Sequence, residues 1–353
     1  MEKLVLIDGN AIIHRAYHAL PKTMSNRRGE QTNAVYGFTT TIIKVLEDLK
    51  PKYLACSFDL AGPTFRHEAF TDYKATRVKA DQDLYDQIPR VKEIVQTMNI
   101  PIYEKDGFEA DDCLGTIVDE ITNSKKQISN KSQITNSNIQ IYIVSGDKDI
   151  YQLINENVFV YSLRKGLSQM QVVDHETIQR EYNLDPLDFI DLKALAGDSS
   201  DNIPGVPGIG AKTATKLLQD FDTLEKLYQK IESFPVIASE AKQSQKQIAT
   251  AGSLAMTNQI KPRILDLLIK YKDQAFLSQH LATIHRDVPI NFDLEKCRWG
   301  EYDKDKLKSL FEELGFQSLL RRFDNQNNEV RVVDNEQVTI TEVQKKDEQL
   351  KLL

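Results

Sequence analysis

The sequence predicts an α/β fold, a mostly parallel central sheet flanked by helices, followed by a helical lobe. Three observations carry this. Leu4 to Asp8, Tyr53 to Asp59 and Ile141 to Asp147 are short apolar runs rich in β-formers, each ending on an aspartate. Helical patterns separate them, which is the alternation of βαβ units. From residue 184 onward the pattern is mostly helical. In parallel sheets the carboxyl ends of the strands face the ligand crevice, so Asp8, Asp59 and Asp147 are expected along one rim.

Composition narrows the class. The 353 residues, 41% hydrophobic and 27% charged, suit a soluble protein of two domains or of one domain plus a lobe. No apolar run approaches the ~18 residues of a membrane span. The N-terminus lacks the features of a signal peptide. Cys56, Cys113 and Cys297 are scattered and form no CxxC, which disfavours a disulfide framework or a zinc site and favours a reducing cytoplasm. The net charge of −7 argues at first against a nucleic-acid partner. It is a poor guide if the acids gather in a metal site, and the distribution of basic residues matters more.

In chain order, residues 11–20 and 34–49 read as helices, the second on Ala34, Val35, Phe38, Ile42, Val45 and Leu46. Between them Lys22 to Gln31, with Arg27, Arg28 and Gly29, reads as a loop near the rim or as a plain solvated loop. In 61–92, Arg66, His67, Tyr73, Lys74, Arg77 and Lys79 are interleaved with Phe65 and Phe70. Cations mixed with aromatics suit a nucleic-acid strand; a surface helix would look similar, but the position directly after Asp59 favours the first reading. His67 alone reads as a surface or packing residue.

Glu109-Ala-Asp-Asp112 opens an apolar helical pattern (Cys113, Leu114, Ile117, Val118, Ile121). Three carboxylates in four residues repel one another and call for a cation, although acids in a first helical turn also complement the helix dipole. Asp147-Lys-Asp149 adds two more acids. Residues 122–139 are low-complexity and read as a flexible polar insertion, as do 234–259. A helix is expected from Asp185-Pro186 through Phe189, Ile190, Leu192 and Leu195 to Gly197, followed by Asp198 and Asp201. Next comes Gly205-Val-Pro-Gly208-Ile-Gly210-Ala-Lys212-Thr213, with a helix beginning near Ala211 and Lys216 beside it. Glycines, lysines and a helix N-terminus make a phosphate site, and no apolar strand leads in as a dinucleotide-binding fold requires. Residues 303–323 form a last amphipathic helix pair, and 324–353 read as a polar tail.

The acid candidates are Asp8, Asp59, Glu109, Asp111, Asp112, Asp147, Asp149, Asp198 and Asp201. Oxygen ligands without His or Cys favour Mg²⁺ or Mn²⁺ over zinc. So many carboxylates exceed the needs of one ion, and two ions suit an in-line phosphodiester displacement. Lys74 or Arg77 would add positive charge as the phosphate becomes more negative.

Here the residues resemble a known family, the 5′-nuclease domains of bacterial DNA polymerases I within the flap endonuclease superfamily. The matching pieces are Asp8-Gly-Asn10, Arg28-Gly-Glu30, Ala34-Val-Tyr-Gly-Phe38, Phe58-Asp59, Phe65-Arg-His-Glu68, Tyr73-Lys74 with Arg77, Glu109-Ala-Asp-Asp112, Asp147-Lys-Asp149, and Gly197-Asp-Ser-Ser-Asp-Asn-Ile-Pro-Gly205 running into Gly208-Ile-Gly-Ala-Lys-Thr-Ala214. They come in family order over residues 1–323.

The resemblance implies a PIN-like nuclease core with a helical arch and a helix–turn–helix clamp, divided as 1–183, 184–323 and a tail 324–353. Asp8, Asp59, Glu109 and Asp111 would hold one metal, and Asp147, Asp149 and Asp201 the other, with Asp112 and Asp198 further out. Lys74 and Arg77 would assist catalysis. DNA contacts are expected from Arg28, Tyr36, Arg66, Tyr73, Lys74 and Arg77, and from Gly205, Gly208, Gly210, Lys212, Thr213 and Lys216 on the clamp, where K⁺ is often held. The implied activity is 5′-3′ exonuclease and flap endonuclease action for primer removal and repair. Its substrate would be DNA with a 5′ flap, or nicked or gapped duplex with a 5′ single strand. The chain would be either a stand-alone nuclease, with a DNA polymerase supplied separately, or a piece of a longer protein, and no polymerisation by these residues is expected. An aspartate-nucleophile phosphatase is disfavoured because Gly9-Asn10, and no second Asp, follows Asp8. The alternative of another class is a catalytically silent DNA-binding or scaffolding protein; loss of metal ligands would signal it, and none of the expected acids is missing.

Overall fold

The computed structural model describes residues 1–122, 139–165, 169–233 and 260–322. The tail and nearly all of the two polar insertions expected from the sequence lie outside the described residues.

Six strands form one sheet in the order β3-β2-β1-β4-β5-β6. They are β1 (Glu2–Asp8), β2 (Tyr53–Ser57), β3 (Ile102–Tyr103), β4 (Ile139–Ser145), β5 (Val158–Lys165) and β6 (Gln169–Val173). The first five pair in parallel, and β6 runs antiparallel to β5. The mostly parallel α/β class expected from the sequence is therefore what forms. The three aspartate-ended runs are β1, β2 and β4; β3, β5 and β6 are strands the sequence reading did not place.

Alternation along the strands divides the core. Val5, Ile7, Leu54 and Cys56 face one layer, with α1 (Gly9–Ala19), α2 (Asn33–Leu49) and α5 (Ile88–Thr97). Leu4, Leu6, Tyr53 and Ala55 face the other, with α6 (Ala110–Thr122) and the 3₁₀ turn Asp149–Leu153. Both faces of β1 are covered, so its run is apolar throughout. Strand order reverses direction at β1 and β4, which places the crevice beside the ends of these two strands.

The segment carrying Tyr73, Lys74 and Arg77, where the resemblance implies the arch, is built from short pieces. α3 (Phe65–Ala69) is followed by turns and by α4 (Gln82–Tyr85), and Lys74 takes a left-handed φ of 57°. After β6 and α7 (His175–Tyr182) come α8 (Asp188–Ala196), α9 (Ala211–Phe221), α10 (Leu224–Glu232), α11 (Pro262–Lys270) and α12 (Lys272–Ala282), which share a separate core around Leu195, Leu217, Leu227 and Leu268. The chain then returns to the sheet. Ile284, Leu294 and Cys297 join one layer, and α13 (Lys304–Leu314) with Phe316 and Leu319 joins the other. The helical lobe thus ends in space well before residue 323. Among the described residues no helix is long and apolar enough to cross a membrane.

Candidate metal centre and its surroundings

Asp8 ends β1 and caps α1, accepting from the Ala11 amide at 3.0 Å. Its other oxygen accepts from the Ser145 hydroxyl at 2.7 Å, across the neighbouring strand end. Burial pushes its carboxyl up to about 7, and Asp59 and Asp147 add repulsion. Asp59 lies two residues past β2. It accepts from the Ala110 amide at 2.7 Å and from the Asn10 side chain at 3.0 Å. One face of Asp59 is open to solvent, yet surrounding protein raises its carboxyl, and Glu109 adds to this. Asp111 is raised well above the ordinary range by burial and then by Asp8, Asp147, Asp59 and Asp149. No donor or cation among the described residues reaches Asp111. Among the described residues, Asp147 accepts only from the Asp149 amide, at 3.0 Å.

The remaining acids hold cations. Lys193 of α8 pairs with Asp149 and, at 2.5 Å, with Asp198. Burial and Asp147 push the Asp149 carboxyl up to about 6, against the pull of Lys193. Asp198 stays below the usual range, because Lys193 and Ser200 outweigh burial. Lys74 meets Glu109 at 2.6 Å and Asp201 at 3.9 Å, and Arg77 pairs with Asp201. The structure therefore gathers Asp8, Asp59, Asp111, Asp147 and Asp149 at the carboxyl edge, with Glu109 and Asp201 on the side of the arch.

Four expected site residues take other places. Asp112 is fully buried and accepts from Arg66 at 2.8 Å on both oxygens, and from the Glu109 and His285 amides. All its acceptor capacity is used inside the protein, which removes it from the metal set. Arg66, expected on DNA, is 2% exposed and donates to the Leu281 and Thr283 carbonyls as well. Tyr73 is 3% exposed, with its hydroxyl 3.2 Å from both Glu109 and Asp201, so it braces acids rather than presenting a ring to a base. Gly205 is buried: its amide donates to Ser278 at 3.0 Å and its carbonyl accepts from Gln274 at 2.6 Å. A Cβ there would stand 2.1 Å from the Gly197 nitrogen, so close backbone approach explains this glycine.

The rest of the hairpin faces out. Gly208, Gly210, Lys212 and Lys216 are exposed, and Thr213 is half-buried at the start of α9. Arg28 is exposed, and Tyr36 is half-buried. The hairpin is tied to the cleft by paired backbone bonds between Asp198 and Ile203, at 2.9 and 2.8 Å, which close the loop carrying Asp201. Lys193, Asn10 and Ser145 are site residues that the sequence reading missed. Lys193 had a signal, as the one cation in the apolar run Phe189–Leu195.

With this arrangement in view, the comparisons decide the family. Residues 3–183 match the family described as 5′-3′ exonuclease, N-terminal resolvase-like domain, and residues 184–305 match 5′-3′ exonuclease, C-terminal SAM fold. The chain belongs to the 5′-3′ exonuclease family. It is 36% identical over 329 residues to DNA polymerase I of Bacillus caldotenax, covering 93% of this chain and 33% of that protein. It is 38% identical over 328 residues to DNA polymerase I of Geobacillus stearothermophilus, with the same coverage of both. The chain thus spans about a third of the length of these relatives. Among solved structures, a zinc-bound T5 5′-exonuclease matches with TM-score 0.56 and 20% identity over 80% of this chain and 89% of that one. The catalytic core of Rad2 in complex with DNA substrate matches with TM-score 0.54 and 17% identity over 89% of this chain and 88% of that one. These likenesses show the fold.

For this exonuclease-family chain the donor set fits a hard divalent cation in chemistry: carboxylate oxygens, with Asp111 amid like charges and unpartnered among the described residues. Among the described residues, however, no three His, Cys, Asp or Glu side chains stand arranged to hold an ion as placed. Lys193, Lys74 and Arg77 draw Asp149, Glu109 and Asp201 towards themselves.

Proposed function

We propose that this chain hydrolyses DNA phosphodiester bonds at a 5′ single strand, as an exonuclease and flap endonuclease dependent on divalent metal. The observation that carries the reading is the row of carboxylates at the sheet edge that raise one another, of which Asp8, buried, and Asp111, half-buried, meet no cation among the described residues. Asp8, Asp59, Glu109 and Asp111 would hold one Mg²⁺ or Mn²⁺, and Asp147, Asp149 and Asp201 a second. Held by these residues, such ions would supply activation of water and positive charge for the phosphate oxygens.

The protein's own groups do the rest. Ser145 and the Ala11 amide fix the rotamer of Asp8, and Asn10 and the Ala110 amide fix Asp59. Lys74 and Arg77 stand over Glu109 and Asp201, where they face an incoming phosphate and exchange a carboxylate for it. The exposed Gly208, Gly210, Lys212 and Lys216 grip the duplex backbone without reading sequence, and this hairpin is where a K⁺ ion would sit. The 1–183 segment would cut and the helices that follow would clamp. DNA is the partner, with a polymerase active on the same substrate.

The test is a duplex with a labelled 5′ flap, incubated with the chain in Mg²⁺ or in EDTA. Mg²⁺-dependent release of the flap near the junction is expected. Tight binding without product in any divalent ion would sink the reading and leave a binding protein.

A further inference from the structure

Away from the acids, the loop 26–30 is held by a network of its own. Asn26 folds it: its side-chain oxygen accepts from the Arg28 and Glu30 amides at 2.9 and 3.0 Å, and its amide nitrogen donates to Glu30 at 2.9 Å. Gly29 turns the tip at a φ of 78°. Arg90 of α5 then holds Glu30 at 2.8 Å, Glu93 at 2.7 Å and Glu313 at 2.8 Å. Arg28 donates to the same Glu313 oxygen at 3.2 Å. Glu313 lies in the last turn of α13. Just beyond it, the Ser318 hydroxyl is 2.8 Å from that of Tyr36, and Phe316 packs edge-on to the Tyr36 ring at 5.2 Å.

Two guanidinium groups repel, so Arg28 would turn away from Arg90 unless a carboxylate stood between them. Glu313 is that carboxylate. The Arg28 side chain is 74% exposed, so one donor is anchored while the others face water. An anchored, exposed guanidinium meets a phosphate with less loss of side-chain freedom than a loose one.

We propose that Glu313 and Arg90 are positioning residues that hold Arg28 for the phosphate backbone of duplex DNA. The last turn of α13 is thereby part of the substrate platform. This rests on the nuclease reading and on the contact assigned to Arg28, and the experiment separates the three.

Steady-state cleavage of the flap duplex by the full chain is measured for Arg28→Ala, Glu313→Gln, Glu313→Asp and the Arg28→Ala/Glu313→Gln double variant. Arg28→Ala and Glu313→Gln are each expected to raise KM about 3- to 5-fold with kcat unchanged. The double variant should be no worse than Arg28→Ala, and Glu313→Asp should recover part of the loss. Additive effects, or Glu313→Gln lowering kcat and melting temperature together without a KM change, would overturn the positioning role. Unchanged KM in Arg28→Ala would remove the DNA contact, and the proposal with it. Metal-dependent cleavage by that same variant would leave the nuclease reading standing.

Discussion

Asp111 and Asp112 are neighbours in the first turn of α6, and their surroundings are opposite. Asp112 has an arginine on both oxygens and two backbone amides besides, and it is sealed from water. Asp111 faces four other carboxylates and receives no donor among the described residues. The buried charge of Asp112 is complete within the chain, whereas the half-buried one of Asp111 awaits a cation from outside. Proximity in sequence therefore says little about role; the partner does.

The comparison breaks first at Asp111. Asp111→Asn is expected to lower kcat on the flap duplex on the order of 10³-fold, because it removes a carboxylate proposed to hold the metal that would act on the phosphate. The metal-free protein should be as stable as before or more so at pH 8, since a repulsive charge is gone. A variant that still cleaves within tenfold of the parent would place Asp111 outside the centre.

Arg66→Leu tests the other side. It leaves the Asp112 carboxylate buried without its cation, at a cost of about 3–5 kcal/mol in unfolding free energy. Denaturant titration checks this, and the Arg66→Leu/Asp112→Asn double variant should recover part of the loss. A single variant as stable as the parent would mean that water or a shifted backbone already satisfies Asp112.

Much of this was legible in the sequence. Apolar runs ending in aspartate found the three strands whose ends carry Asp8, Asp59 and Asp147, because strand period and turn chemistry are local properties. They did not find β5, whose run Val158-Phe-Val-Tyr161 is rich in β-formers but ends on no acid, nor β3, which is only two residues long. Arg66 and Tyr73 looked like surface groups because residue type alone does not reveal burial. Only the fold brings Arg66 to Asp112, 46 residues away. Lys193 escaped for the same reason, since its partners Asp149 and Asp198 meet it from different elements.

The smallest effect, and the sharpest in sign, is on stability against pH. Asp8 and Asp149 have carboxyls pushed up to about 7 and about 6 in the folded protein, against ordinary values near 4. Between those limits the folded state binds more protons than the unfolded state. Stability of the metal-free protein must then fall as pH rises from about 4 to 7, the reverse of the usual carboxylate case. His14, held low by the protein around it, pulls the opposite way, but it is one exposed imidazole against Asp8, Asp111 and Asp149 together. Melting in EDTA should therefore drop between pH 5 and 8 by roughly 1–2 °C for each kcal/mol involved in a chain of this length. A divalent ion replaces the protons, so Mg²⁺ should restore more stability at pH 8 than at pH 5. Asp111→Asn should shrink both effects and Arg66→Leu should leave the pH slope in place, so one set of melting curves distinguishes the two neighbouring acids.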